Sequence, residues 1–246
     1  MRTRVPPPDA ARLLPDGSAL NNRLLAALPL ADYDRIGPEL RMRSVALGGT
    51  LLANGSAITD VFFPNGGVYS VTSEMRDGTM VEVATVGCEG MLGVGVFLGD
   101  RSNAGRTILQ VPNGQLPSMK VERFVEETAA GPFRDIVGLY VQANMLQVMQ
   151  CAACNALHDV KRRCCRWLLQ TQDRVGSDEF VMKQEFLAIM LGVRRPTVTL
   201  VMQALQKSGL IAHRYGRVRV LQRKKLERAS CECYEAIRAN YTRLGL

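Results

Sequence analysis

An α+β architecture is what this sequence predicts: an N-terminal antiparallel β-barrel or jelly roll, a long central helix and a C-terminal winged helix-turn-helix. Three observations carry it. Residues 40–121 are short apolar runs broken by Gly, Asn and Asp every eight to twelve or so positions, roughly the spacing of an antiparallel barrel or sandwich. Residues 133–157 keep an apolar stripe at helical spacing over about seven turns. Residues 181–221, VMKQEFLAIMLGVRRPTVTLVMQALQKSGLIAHRYGRVRVL, read as two short helices across a tight turn, followed by a basic hairpin.

In chain order, the expected units are an arm over 1–21, a β-rich domain over 22–131, a dimerisation helix over 132–157 and a winged helix-turn-helix domain over 158–246. The arm is Pro-rich and charged, with no period that would bury it, so it reads as flexible and ordered only where it docks. The LLAALPL run and the DYDRI after it give one or two short helices, with Pro29 opening the second. Strands are expected over 45–52, 60–63, 68–74, 79–86 and 107–111. Asp77-Gly78 marks a hairpin of type I′, which needs positive φ at both central residues. The loop 87–105 holds six glycines in nineteen residues. Backbone this permissive either approaches a ligand closely or simply connects strands.

Ile136, Val137, Tyr140, Val141, Met145, Val148 and Met149 form the stripe of the long helix, which suits a coiled-coil-like seam in a parallel dimer or, alternatively, an intramolecular core. Residues 159–171 continue as a helix with Val160, Trp167, Leu168 and Leu169, and RVGSDEF ends it. Phe186, Leu187, Met190 and Leu191 recur at helical spacing up to Gly192; Pro196 sits where a second helix can begin, and Val198, Val201, Met202 and Leu205 continue the pattern. Gly209 closes it. LIAHRYGRVRVL then alternates as a wing around Tyr215-Gly216, and residues 223–246 read as a basic closing helix.

The chain of 246 residues is 47% hydrophobic, enough for real cores and too much for a disordered protein. Its net charge is +8, and residues 177–246 alone carry 13 Lys or Arg against 6 Asp or Glu. A basic excess beside a helix-turn-helix favours a polyanionic partner, because neutralised phosphates release counterions; a solvated basic surface is the bland alternative. No apolar run approaches the ~18 residues of a membrane helix, and prolines stand where a signal peptide needs its apolar core, so a cytoplasmic protein is expected. Seven cysteines, an odd number, fit a reducing compartment better than a disulfide framework.

Arg194, Arg195, Thr197 and Thr199 crowd the start of the second helix, the end that a recognition helix presents to base edges and phosphates. Arg214, Arg217 and Arg219 lie on the wing, placed for phosphate or minor-groove contact or serving as charged gatekeepers of an edge strand. The cysteines offer competing chemistry. On one helix Cys151 and Cys154 share a face, while Cys165 lies about 16 Å further along, so a four-ligand site would have to recruit Cys231 and Cys233 or a second subunit. No metal site is expected, and buried small hydrophobes are the default. Cys164 and Cys165, beside Lys161, Arg162, Arg163 and Arg166, carry the alternative of a thiol-redox or metal-sensing regulator, since neighbouring cations lower a thiol pKa. His158 and His213 have no spacing for a triad or an H-E-x-x-H site, so an enzyme is not expected.

The segment 184–199, QEFLAIMLGVRRPTVT, is similar to the DNA-binding signature of the Crp/Fnr family of bacterial transcription regulators: Gln, Leu-Ala, Leu-Gly and an Arg before Thr-Val. The order of β-rich domain, long helix and winged helix-turn-helix over about residues 22–225 resembles the same family. The resemblance implies a cyclic-nucleotide-binding-like sensor domain that sets DNA affinity, a homodimer with recognition helices about 34 Å apart on a pseudo-palindromic operator, and RNA polymerase as a further partner. It adds Gln184 to the DNA-binding residues and implies that Arg195 reads a guanine, a pairing its two-donor fork suits. Pro196 stands where the family often has Glu or a small residue, which leaves Arg194, Thr197 and Thr199 to share the readout. The glycine loop resembles the family's phosphate-binding cassette, Gly-Glu-Leu-Gly followed by Arg-Ser, with Gly90-Met91-Leu92-Gly93 and Arg101-Ser102 at the matching places. Arg101 and Ser102 would hold a phosphate, with Gly90 and Met91 completing an effector site. Met91 replaces the carboxylate that takes a ribose hydroxyl, and Glu89 lies two residues earlier, which disfavours ordinary cyclic AMP and leaves a relic cassette or a pocket for another small-molecule effector. No resident cofactor is implied.

Overall fold

The computed structural model describes residues 12–245. Two short helices, α1 (Arg23–Ala26) and α2 (Leu30–Ile36), precede strands β1 (Arg41–Arg43), β2 (Thr50–Leu52), β3 (Asp60–Phe62), β4 (Val68–Glu74), β5 (Met80–Val86), β6 (Arg106–Val111) and β7 (Leu116–Lys120). Helices α3 (Val121–Glu127), α4 (Pro132–Leu157) and α5 (Val160–Val175) follow, then β8 (Glu179–Val181), α6 (Gln184–Leu191), α7 (Arg195–Lys207), β9 (Ile211–Arg214), β10 (Arg217–Val220), α8 (Arg223–Ala229) and α9 (Cys233–Arg243). The protein is thus α+β, with antiparallel sheets, a long central helix and a helix-turn-helix in the expected order.

The β domain is two antiparallel sheets, β1-β7-β3 and β2-β6-β4-β5. They are not closed into one barrel, and the arrangement is compatible with a jelly roll. Phe62 and Leu116 from one sheet meet Leu52, Tyr69, Val86 and Leu109 from the other in a common core. Of the expected strands, 68–74 is reproduced residue for residue, whereas 45–52 shrinks to Thr50–Leu52. The missed strand β7 contains Pro117, which weakens any strand reading; its carbonyl accepts the Phe63 N–H at 2.8 Å while its ring sits opposite Met42. The Asp77-Gly78 hairpin also differs from expectation. Only Gly78 has positive φ (81°), and Gly78 N–H donates to Met75 O at 3.0 Å, so the chain turns through a longer loop than type I′. Positive φ at two successive residues occurs instead at the wing tip, Tyr215 (51°) and Gly216 (70°).

Asn22 caps α1 by accepting the Leu25 N–H at 3.2 Å, and Pro29 precedes α2 as the sequence suggests. Residues 1–11 of the expected arm lie outside the described residues. Its remainder docks: Leu14 is buried, and Arg12 donates to Leu25 O and Ala26 O, both at 3.2 Å, with its guanidinium over the Tyr33 ring.

The long helix α4 starts at Pro132, whose missing N–H costs nothing in a first turn. Its stripe divides between the two readings. Ile136, Val137 and Tyr140 are buried in the chain's own core with Phe63, Phe124 and Phe133, whereas Met145 and Met149 stand 60% and 64% exposed. At His158 the helix stops, and Asp159 caps α5 by accepting the Arg162 N–H at 3.0 Å. Cys164, Cys165, Trp167, Leu168 and Leu169 of α5 are buried with the helix-turn-helix residues Leu187, Leu191, Val198, Met202 and Leu205. The expected single closing helix is two. The chain bends at Ser230 to Glu232, and α9 returns to α4, where Ile237 and Tyr241 enter the core of the N-terminal half.

Candidate nucleic-acid interface

Helix α6 ends because Gly192 adopts the left-handed conformation (φ 58°) that a side chain would oppose. Arg194 is the N-cap of α7, and Pro196 lies in its first turn. Leu187, Leu191, Val198 and Met202 are buried beneath the turn, so the polar residues are forced outward. Arg194, Arg195 and Pro196 are exposed, with Thr197 and Thr199 half-buried. Neither Arg194 nor Arg195 is paired with a carboxylate among the described residues, and both sit at the positive end of the α7 dipole. That is an energetically poor place for two unpaired cations, and it suits an external anion.

Gln184 at the start of α6 is held by Thr199, whose hydroxyl lies 2.9 Å from Gln184 Oε1 and 3.2 Å from Arg195 O. Thr199 therefore positions Gln184 and the first turn of α7. A groove of about 410 Å³ is lined by Lys183, Gln184, Glu185, Arg195, His213 and Gly216, bringing α6, α7 and the wing to one concave face. Burial holds the His213 imidazole below its ordinary pKa, so the groove keeps a neutral ring beside its cations. Sequence reasoning did not place Lys183 and His213 here, because only the three-stranded sheet β8-β10-β9 brings the wing back beside α6.

The wing arginines are less available than the sequence suggests. Arg217 and Arg219 reach the same carboxylate, Glu179 on β8, at 3.4 Å and 2.6 Å. The Arg219 hydrogen bond, aided by both charges, holds Glu179 below the usual carboxylate range. Arg214 lies over the ring of Tyr215, which is 88% exposed at the tip.

The cassette residues do not gather into one polar pocket. Met91 is buried in the core, and its carbonyl accepts the Tyr140 hydroxyl at 2.9 Å. Gly90 packs so closely on Tyr140 that a Cβ would stand 2.4 Å from the ring. Arg101 and Ser102 are exposed, with Ser102 in an isolated bridge to Ala57 and Arg101 paired to Glu122 at 3.3 Å. Glu89 is buried against Arg174 of α5 at 2.8 Å and accepts the Gly87 N–H at 3.1 Å, so it joins domains rather than facing a ligand.

The expected lowering of the Cys164 and Cys165 pKa is reversed. Burial pushes the Cys165 thiol up to about 12 and Cys164 higher still, because Arg163 turns away to Leu191 O and the exposed cations of the segment stay in water. A thiol-redox sensor at these residues is not favoured. Cys154, Cys231 and Cys233 meet in a separate buried cluster, and His158 packs beside them. The i, i+4 spacing of Cys154 and His158 at a helix end was the signal for that meeting, and the break between α8 and α9 concealed it.

Residues 162–229 match the model of the Crp-like helix-turn-helix domain. No curated protein matches the chain by sequence. Among solved structures, a CRP-family transcriptional regulator of Thermus thermophilus is 19% identical with a TM-score of 0.64, over 77% of this chain and 96% of that one. FixK2 of Bradyrhizobium japonicum is 11% identical with a TM-score of 0.68, over 78% and 98%. The c-di-GMP-responsive global regulator CLP of Xanthomonas campestris is 17% identical with a TM-score of 0.61, over 78% and 99%.

Proposed function

The chain carries a Crp-like helix-turn-helix domain on the fold of CRP/FNR-family transcriptional regulators, and from this we propose a sequence-specific DNA-binding regulator that acts as a homodimer in the cytoplasm, without an enzymatic activity. The observation that carries it is the head of α7. Two exposed arginines without carboxylate partners among the described residues sit over the positive end of a helix dipole, beside a groove shared with α6 and the wing. Arg195, with its planar two-donor fork, suits a guanine edge, and Arg194, Thr197 and Gln184 complete the contact set. Arg214 and Arg217 supply phosphate contacts.

The dimer reading rests on α4. Met145 and Met149 recur four residues apart on a solvent-facing stripe that none of the described residues covers, and a second copy of α4 would cover it. Helix α6 touches the β domain directly, since Phe186 packs on Gly48 and Gly192 on Val81. Through that contact the β domain would set the position of the reading head for operator and RNA polymerase. The cassette is either a relic or a site for a small molecule other than ordinary cyclic AMP, because Met91 offers no carboxylate and Arg101 is engaged with Glu122.

Selection of bound duplexes from a random pool, followed by binding and sedimentation measurements, tests this reading. Arg195→Ala is expected to lose ~1–3 kcal/mol on the selected site and to relax base preference there. Equal losses on selected and random duplexes would remove Arg195 from base reading. Paired Met145→Glu and Met149→Glu changes should give monomers with weakened operator binding; a variant that stays dimeric would place the interface elsewhere.

A further inference from the structure

At the junction of the long helix and the closing helix, the fold assembles atoms suited to a soft, four-coordinate metal. Cys154 and His158, four residues apart at the end of α4, face the same side, and Cys231 and Cys233 flank Glu232 at the start of α9. One ligand atom from each of the four lies within 4.8 Å of the other three. Cys154 Sγ is 3.5 Å from Cys231 Sγ, and Cys233 Sγ is 3.5 Å from His158 Nδ1. A tetrahedral zinc with ordinary bond lengths needs sulfur–sulfur separations of roughly 3.8 Å and sulfur–nitrogen separations of roughly 3.5 Å. The two closest pairs are within tenths of an ångström of that geometry, and no pair is more than about 1 Å too wide to close on an ion.

Two further observations point the same way. The outer groups are those that tune a metal site: His158 Nε2 lies 3.1 Å from Glu232 Oε1, which leaves Nδ1 directed at the thiols, and Gln150 Nε2 donates to Cys233 Sγ at 3.1 Å. Beside the cluster, Arg166 is buried with Gln170 Oε1 and Cys151 Sγ as its hydrogen-bond partners, neither of them an acid, while its Nε has none. A buried guanidinium of this kind requires negative charge nearby, and the buried Glu82 carboxyl, whose charge bears on Arg166 without a direct ion pair among the described residues, supplies part of it. Three thiolates around a divalent ion carry a net charge of about −1, which would supply the rest.

We propose that Cys154, His158, Cys231 and Cys233 form a closed structural site for one zinc(II) ion. Binding replaces the thiol protons, which pass to solvent, and leaves no coordination position open, so the ion neither activates water nor exchanges with a signal. Its work is mechanical. It fastens the end of α4 to the start of α9 where α5 departs, and so fixes the angle between the dimer helix and the DNA-reading domain.

Elemental analysis of the full chain, purified under reducing and oxygen-free conditions, should find about one zinc per chain. Replacement by cobalt(II) should give the intense visible bands and sulfur-to-metal charge transfer of a tetrahedral thiolate site. Cys231→Ser should lose most of the metal, Cys164→Ser should keep it, and Glu232→Gln should lower affinity ~10- to 100-fold, as loss of an outer-shell partner does. The cobalt spectrum of the unmodified protein decides the matter even where a cysteine variant fails to fold. Metal below stoichiometry that neither zinc nor cobalt restores would overturn the proposal. So would full retention in Cys231→Ser, or a Cys154–Cys231 disulfide with no metal uptake after reduction.

Discussion

Arginines serve opposite ends in α5 and at the head of α7. Arg174 is buried and fully engaged: it binds Glu89 at 2.8 Å, Thr85 Oγ1 at 2.5 Å and Gln147 Oε1 at 3.3 Å, joining α5 to the turn after β5 and to α4. Arg194 and Arg195, about twenty residues on, are exposed and have no acidic partner among the described residues. The difference lies in what each guanidinium can still do. A buried one has exchanged its hydration for internal contacts and can only hold the fold, whereas an exposed one keeps its donors for a ligand.

The sharpest test of this contrast removes the buried charge. Arg174→Met leaves Glu89 buried and unpaired, and should cost ~3–5 kcal/mol in urea unfolding, with much of the loss recovered in an Arg174→Met, Glu89→Leu double variant. A loss confined to DNA binding would break the distinction between the two sets.

A smaller effect comes from Glu82. Burial raises its pKa to about 7, against the opposing hydrogen bond from Ser70 and the charges of Arg166 and Arg174. A carboxyl raised in the folded state contributes stability that is fully present below its unfolded pKa and is lost as pH rises through the folded one. From pH 5 to 8 the native protein should therefore lose on the order of 2 kcal/mol relative to Glu82→Gln, read from the difference between their unfolding curves. Parallel curves would mean that Glu82 is ionised throughout.

The smallest effect lies on the wing, midway between the two extremes. Arg217→Ala should weaken all duplexes alike and flatten the salt dependence by less than one counterion per protomer, because Glu179 already neutralises part of its charge. Glu179→Gln should steepen that dependence. A full-counterion loss for Arg217→Ala would place the wing with the free arginines.

Much of this organisation was legible because local chemistry dictated it. Gly192, Pro196 and the apolar positions around them specify two helices and a turn with little help from the rest of the chain, and 68–74 is a short β-branched run bounded by Gly67 and the Asp77-Gly78 turn, enough to be a strand. What could not be read depended on distant partners. Pro117 argues against a strand until β1 and β3 flank it. The basic neighbours of Cys164 and Cys165 suggest reactive thiols until the packing of α5 buries both. Glu179 gives no sign in the sequence that it will meet arginines 38 and 40 residues later. Likewise Cys154 and Cys231 are separated by 77 residues, and only the bend before α9 makes them neighbours.

The contact of Phe186 with Gly48 carries a thermodynamic obligation. A Cβ on Gly48 would stand 2.8 Å from the Phe186 ring, so the loop before β2 and the helix that leads into the turn share one boundary with no slack. If a duplex shifts that boundary, as the proposed function requires, any ligand that favours one arrangement over the other changes the affinity for DNA by some factor, and DNA must change the affinity for that ligand by the same factor. Such a coupling can be measured from either side, and a duplex can then serve as the reagent that finds a ligand of the β domain.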